Sequence, residues 1–236
     1  MTLESHFATV AAHTETTTQT HMRTKALLLT AAVSAVGVVS SMAQTVYSVN
    51  IVGYVNKTVG TGLSLIANQL NHTPNNGVAT VIGTPSGPVT ISKFNATAGN
   101  FDLAIYDADA GGWSDPTTMV LNPGQAAFID NATGNPLPLT FVGEVQLNST
   151  LNIKAGLDSY SSVIPQAGDL NALQFPTPPG PMTLFKFNGA SFDPFIYDLD
   201  AGGWSPGVPS LAIAEGFFID NGSTAFNWSR NFPVGP

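Results

Sequence analysis

Residues 100–114 read NFDLAIYDADAGGWS, and residues 191–205 read SFDPFIYDLDAGGWS. The two stretches align without a gap at an offset of 91, with 11 of 15 positions identical. In the first copy Phe101, Leu103 and Ile105 recur every second residue, the spacing that places side chains on one face of a strand. The following DADAGG is a sharp turn, because Gly111 and Gly112 can adopt a positive φ that other residues reach only at a cost. A strand running into a tight turn, written twice, predicts a tandem repeat of one sheet-forming unit.

The flanks extend the pattern. Val89–Asn95 and Asn100–Asp107 form a hairpin across Ala96–Gly99, and the second copy shortens that connection by two residues, a change tolerated at a solvated loop tip. Gln125–Asp130 is a further strand matched by Gly216–Asp220, with AFIDN in one copy and FFIDN in the other. Leu137–Val145 completes the first unit. Lys154-Ala155-Gly156-Leu157 opens the second and echoes Gly60-Thr61-Gly62-Leu63. Upstream, Gln44–Val59 alternates as a strand with Tyr47, Val49, Ile51, Gly53 and Val55 on one face. Gly62–Leu70 is the next strand, and Val78–Ile82 reads equally as a helical turn or a short strand. The Pro-rich stretch Phe175–Pro181 is a stiff loop inside the second unit. The expected fold is all-β: two tandem antiparallel units, each sandwich or barrel-like, over 44–148 and 149–236.

Residues 1–43 are set apart. Arg23 and Lys25 after Met22, the apolar run Ala26–Val39 and Ser41-Met42-Ala43 form the three regions of a secretory signal peptide. The apolar run is shorter than the roughly 20 residues a membrane span requires. Residues 1–21 are Thr-rich and polar, with Met22 the expected start of the exported precursor and Gln44 the first mature residue.

Charge narrows the function classes. The chain has 236 residues, a net charge of −8 and no cysteine. An acidic balance excludes a nucleic-acid partner, whose phosphates need a basic face, and disfavours anionic lipid surfaces. Without cysteine there is neither a disulfide nor a thiolate metal site.

A wider set of motifs recurs in order: Gly62-Leu-Ser-Leu-Ile66, Ser92-Lys-Phe-Asn95, Gly112-Trp-Ser-Asp-Pro116, Leu121-Asn-Pro-Gly124, Phe128-Ile-Asp-Asn131, Phe141-Val-Gly-Glu-Val145 and Val163-Ile-Pro-Gln-Ala-Gly168. This order resembles a group of secreted two-repeat, β-rich proteins of unassigned function from Verrucomicrobia-type bacteria. It is similar, more loosely, to extracellular bacterial repeats that open with a GWNLVSLP strand and close with PGxGYW. Leu63 stands where those repeats carry an aromatic, and Gln125-Ala126-Ala127 stands in place of their GxGYW core. The resemblance implies a β-rich extracellular module and carries over no activity.

Two site readings arise from the repeated segment. Asp107 and Asp109, with Asp198 and Asp200 in the second copy, suggest a calcium loop. An EF-hand also needs a bidentate acid at its twelfth position, where Thr118 and Pro209 stand, so only a looser calcium site remains. The competing reading is an Asp that caps its own turn, and that reading is preferred. Trp113 and Trp204, with Tyr106 and Tyr197, are the candidate platform for an extracellular polysaccharide. Large aromatics more often anchor a core.

Hydrolytic chemistry has little to build on. His72 is the one histidine beyond the leader, no GxSxG elbow is present, and no HExxH or His cluster points to zinc. Paired carboxylates of a glycosidase would have to come from Asp residues that the repeat duplicates, which suits a structural role better. The expectation is a non-catalytic extracellular structural or adhesive protein binding surface proteins. A carbohydrate-binding module and, behind it, a secreted hydrolase are the alternatives.

Overall fold

The computed structural model describes residues 51–114 and 119–233. The expected signal peptide at 22–43 and the first part, 44–50, of the strand expected over Gln44–Val59 lie outside the described residues. From Val52 onward the regular secondary structure of the described residues is nearly all strand. The first half contributes β1 (Val52–Val59), β2 (Gly62–Ile66), β3 (Val89–Asn95), β4 (Asn100–Asp107), β5 (Gly112–Trp113), β6 (Ala127–Asn131) and β7 (Leu137–Glu144). The second half contributes β8 (Asn148–Ile153), β9 (Gly156–Tyr160), β10 (Gly168–Asp169), β11 (Met182–Phe187), β12 (Phe192–Asp198), β13 (Gly203–Ser205), β14 (Ser210–Leu211), β15 (Phe217–Asn221) and β16 (Phe226–Asn231).

The same connectivity occurs twice. One five-stranded antiparallel sheet runs β2-β6-β3-β4-β5, and the other runs β9-β15-β11-β12-β13. Each half also has a two-stranded ribbon, β1 with β7 and β8 with β16. The long β3–β4 hairpin pairs Phe94 with Phe101, and β11–β12 pairs the equivalent Phe187 with Phe192. The two-residue difference between these hairpins is confined to the loop tip.

Alternation decides what each face meets. On one face of the first sheet, Val89, Ile91, Ala104, Tyr106 and Ile129 share a core with Val55 and Val59 of β1 and Leu137, Leu139 and Phe141 of β7. The second sheet does the same with Leu184, Tyr197, Phe217 and Ile219 against Ile153 and Trp228 of its ribbon. Each half is thus a small sandwich of sheet and ribbon. Burying a side chain such as Phe141 contributes about 1.5–3 kcal/mol, and among the described residues 19 buried residues lie in the first core and 12 in the second.

A third cluster joins the halves. Leu65, Ala126, Phe128 and Phe218 are buried together, with Phe94, Phe185 and Phe187 packed on them. Backbone pairing accompanies it reciprocally: Ile66 bridges Glu215, and Tyr160 bridges Gln125. Ile66 and Tyr160 end β2 and β9, while Gln125 and Glu215 each precede β6 and β15 by two residues. Residue i meeting j while the counterpart of i meets the counterpart of j is the pattern of a two-fold interface.

Two sequence readings are corrected and one open alternative is resolved. The strand expected over Gly62–Leu70 ends at Ile66. Beyond it the buried Asn68 and Gln69 leave the ladder to satisfy loops: Asn68 Nδ2 donates to Leu121 O at 3.0 Å and Gln69 Nε2 to Ser162 O at 2.9 Å. A buried amide must find such partners. The strand expected from Gln125 starts at Ala127, because the Gln125 backbone bridges Tyr160 of the second half rather than a strand of its own sheet. The ambiguous segment is one helical turn, α1 (Val78–Val81), with Val78 and Val81 buried against the first core.

Candidate functional site

The two Asp-rich turns have nearly identical hydrogen bonding. Asp107 Oδ1 accepts from Asp109 N at 2.9 Å and Ala110 N at 3.4 Å. Asp198 Oδ1 accepts from Asp200 N at 2.8 Å and Ala201 N at 3.2 Å. The first carboxylate of each pair therefore caps its own turn, as Asp commonly does. Gly111 and Gly112 take φ of 93° and 125°, and Gly202 takes 64°. Among the described residues no group of three or more His, Asp or Glu side chains converges, so Asp109 and Asp200 gain no third carboxylate there.

The aromatic pairs are used in packing. Tyr106 and Trp113 sit opposite each other in the β4–β5 register with ring centroids 5.5 Å apart and an edge-to-face angle of 61°. Tyr197 and Trp204 repeat this at 5.4 Å and 65°. Both tyrosines are buried, and each half-buried Trp lies against the core of its own half. The indole N–H of Trp113 donates to Gly83 O at 2.8 Å. Edge-to-face rings half covered by a core do not present the coplanar faces that a sugar platform uses. His72 is no relay either: its ring Nδ1 is buried without a hydrogen-bond partner.

A concavity among the described residues lies elsewhere, where the two halves meet. A cleft of about 840 Å³ is lined from the first half by Lys93, Asn95, Asp102 and Gln125, and from the second by Lys154, Asp158 and Tyr160. Its polar groups are positioned by sheet register. Lys93 and Asp102 are direct cross-strand partners on β3 and β4. Asn95 Nδ2 donates to Asp102 Oδ2 at 3.1 Å. From β9, Asp158 Oδ2 pairs with Lys154 Nζ at 3.2 Å, while Asp158 Oδ1 accepts from Ser159 N at 2.8 Å.

Lys93 is the unusual member. Its ammonium donates to Val120 O and Gln125 Oε1, both at 2.8 Å, and no carboxylate among the described residues forms an ion pair with it. Burial pulls its pKa below the ordinary lysine value, opposed by the fields of Asp158 and Asp102 and reinforced by Lys154. Burial likewise pushes the Tyr160 phenol up to about 12, and the bond its oxygen accepts from Lys154 N at 2.9 Å partly offsets that rise.

The duplicate provides an internal control. Lys186 occupies the position of Lys93, and Glu215 that of Gln125. There the ammonium meets the Glu215 carboxylate at 3.1 Å, and the other Glu215 oxygen accepts from Ala212 N. The first half keeps this framework, with Gln125 Oε1 accepting from Asn122 N at 3.0 Å, but lacks the neutralising charge. Reading the sequence around the turns and tryptophans misses this cleft. The available signal is the pair of aligned segments PGQAAFIDN and IAEGFFIDN, in which a Gln faces a Glu while the Lys-Phe-Asn of the lysine-bearing strand is kept.

Comparison with protein families, with curated proteins and with solved structures finds no match.

Proposed function

We propose that this is an exported, non-catalytic structural or adhesive protein that binds neighbouring surfaces through the open parts of its two sheets. The observation that carries this reading is a set of apolar side chains exposed at matching places in both halves. Leu63 and Leu157, Phe101 and Phe192, and Ile105 and Ile196 are each about half exposed. Isolated exposed apolar residues are ordinary, but these are aligned. Leu63, Asp130, Thr90 and Ile105 form one cross-strand row, and Leu103, 52% exposed, lies on the same face of β4. Exposed apolar side chains at both ends of a cross-strand row whose middle is Asp and Thr, repeated on two sheets, fit another sheet face better than a small molecule. The two-repeat architecture and the expected leader at 22–43 support an extracellular setting.

Cell fractionation with size analysis tests the reading. The expected outcome is association with the cell surface or matrix, weakened by Ile105→Ser with Ile196→Ser. A freely soluble monomer in the culture medium would remove it.

A further inference from the structure

We infer that the cleft between the two halves is a binding site for a neutral saccharide, in which Asp102 and Asp158 accept from sugar hydroxyls while Lys93 and Asn95 donate to them. The cleft is built from both halves and has the size of a ligand site rather than a packing defect, since such sites run from roughly 300 to 1,000 Å³. Its ionic groups are two lysines, Lys93 and Lys154, and two aspartates, Asp102 and Asp158, so they sum to no net charge. A balanced set gives little preference for a net-charged ligand. It does match a polyol, because each hydroxyl is at once a donor and an acceptor. Phe94, Leu103 and Leu151 provide the apolar wall that the C–H faces of a sugar ring require.

The strongest support is the difference between the halves. Lys186 is closed off by Glu215, as expected for a partly buried ammonium, because leaving a charge unpaired there is costly. At the equivalent place Gln125 gives Lys93 a neutral acceptor beside a backbone carbonyl, where Lys186 has a carboxylate beside the Ser210 carbonyl; each ammonium has two partners for three protons, and only that of Lys93 lacks a neutralising charge. A purely structural lysine would be served better by the arrangement of the second half. The retained third donor beside Asp102 and Asp158 is suited to a ligand oxygen.

The site borders the exposed face of the first sheet at Leu103, contains none of Leu63, Ile105, Leu157 or Ile196, and is separate from the Trp113 and Trp204 turns. Its test uses the purified full-length chain at a dilution where it is monomeric. Linear neutral oligosaccharides of gluco, manno, xylo and galacto configuration are titrated calorimetrically, with a polyuronate oligosaccharide as the charged comparison. At least one neutral probe is expected to bind. Asp102→Ala should weaken it by about tenfold or more, while Asp193→Ala should leave it unchanged. Asp193 is the right control because it holds Asn188 at 3.0 Å as Asp102 holds Asn95, yet lies outside the cleft. The assignment is overturned if no neutral probe binds, if only the polyuronate binds, if Asp102→Ala binds like the parent, or if Asp193→Ala weakens binding equally. A chain that binds saccharide but remains a free monomer in the medium would keep this site and remove the sheet-face reading.

Discussion

Phe128 and Phe218 stand with ring centroids 5.9 Å apart and planes tilted by 32°, although 90 residues separate them in the chain. Each is the second residue of the matching strand in its half. The contact of one residue with its own counterpart marks the centre of the junction, and Phe94, Phe187 and Phe192 gather around it edge-on. The three aromatic rings nearest the pair also come from both halves, so the junction is a shared core.

Truncating that contact should therefore weaken the whole molecule. Phe128→Ala and Phe218→Ala are each expected to cost about 3–5 kcal/mol in urea denaturation, the range for large buried aromatics. Because the rings touch, the double substitution should cost less than the two single costs added together. A loss under about 1 kcal/mol for either one would show that the halves hold together by other means.

The Lys93 and Lys186 environments can be exchanged. Gln125→Glu places a carboxylate where Glu215 stands and should add about 1 kcal/mol of stability at neutral pH, while Glu215→Gln should remove a similar amount. The new carboxyl would be held below its unfolded pKa by Lys93. Its contribution is present above the ordinary glutamate range near 4.3 and disappears as pH falls through the folded value. Thermal melts of both variants across the acidic range check the sign. Equal stability of parent and Gln125→Glu at pH 7 and pH 3 would contradict it.

Tyr160 makes an alkaline prediction. Its folded pKa is about 12 against 10.0 in the open chain. The stability linked to the neutral phenol is complete below 10.0 and falls as pH rises toward 12. Ultraviolet titration should show one tyrosine ionising late, and Tyr160→Phe should delete that step. The same substitution removes the acceptor for Lys154 N and is expected to cost roughly 1 kcal/mol at neutral pH.

Gly143 and Gly203 should respond in opposite ways to alanine. A Cβ on Gly143 would lie 2.6 Å from both the carbonyl carbon and the oxygen of Asn71. That backbone is held by the reciprocal Asn71–Glu144 hydrogen bonds at 2.9 Å. Gly143→Ala is expected to cost roughly 2–3 kcal/mol by overpacking. A Cβ on Gly203 meets nothing within 4 Å, so Gly203→Ala should stay within about 0.5 kcal/mol. Paired denaturation curves test the contrast.

Much of the local structure was legible because it depends on neighbours in the chain. The alternation of Phe101, Leu103 and Ile105 requires a strand whatever surrounds it, and the Asp-Ala-Gly-Gly turn caps itself through Asp107. The face on which that alternation is buried was not legible. Ala104 and Tyr106 enter the core, while Leu103 and Ile105, more apolar than Ala104, are left exposed. Which side of a strand is covered depends on the ribbon of β1 and β7, and those strands lie far from β4 in the chain. Trp113 reads alike as platform or anchor until Gly83, 30 residues upstream, is brought to its indole N–H.

The sequence alone determined an all-β chain with one strand-and-turn motif written twice, since period-two alternation and Gly-Gly bends are set within a few residues. Only the tertiary structure decided that the halves meet through Phe128 and Phe218, and that Lys93, Asp102 and Asp158 surround one cleft. Such a meeting rests on contacts between residues tens of positions apart. Their energy comes from shared burial and desolvation, quantities that no local stretch of sequence contains.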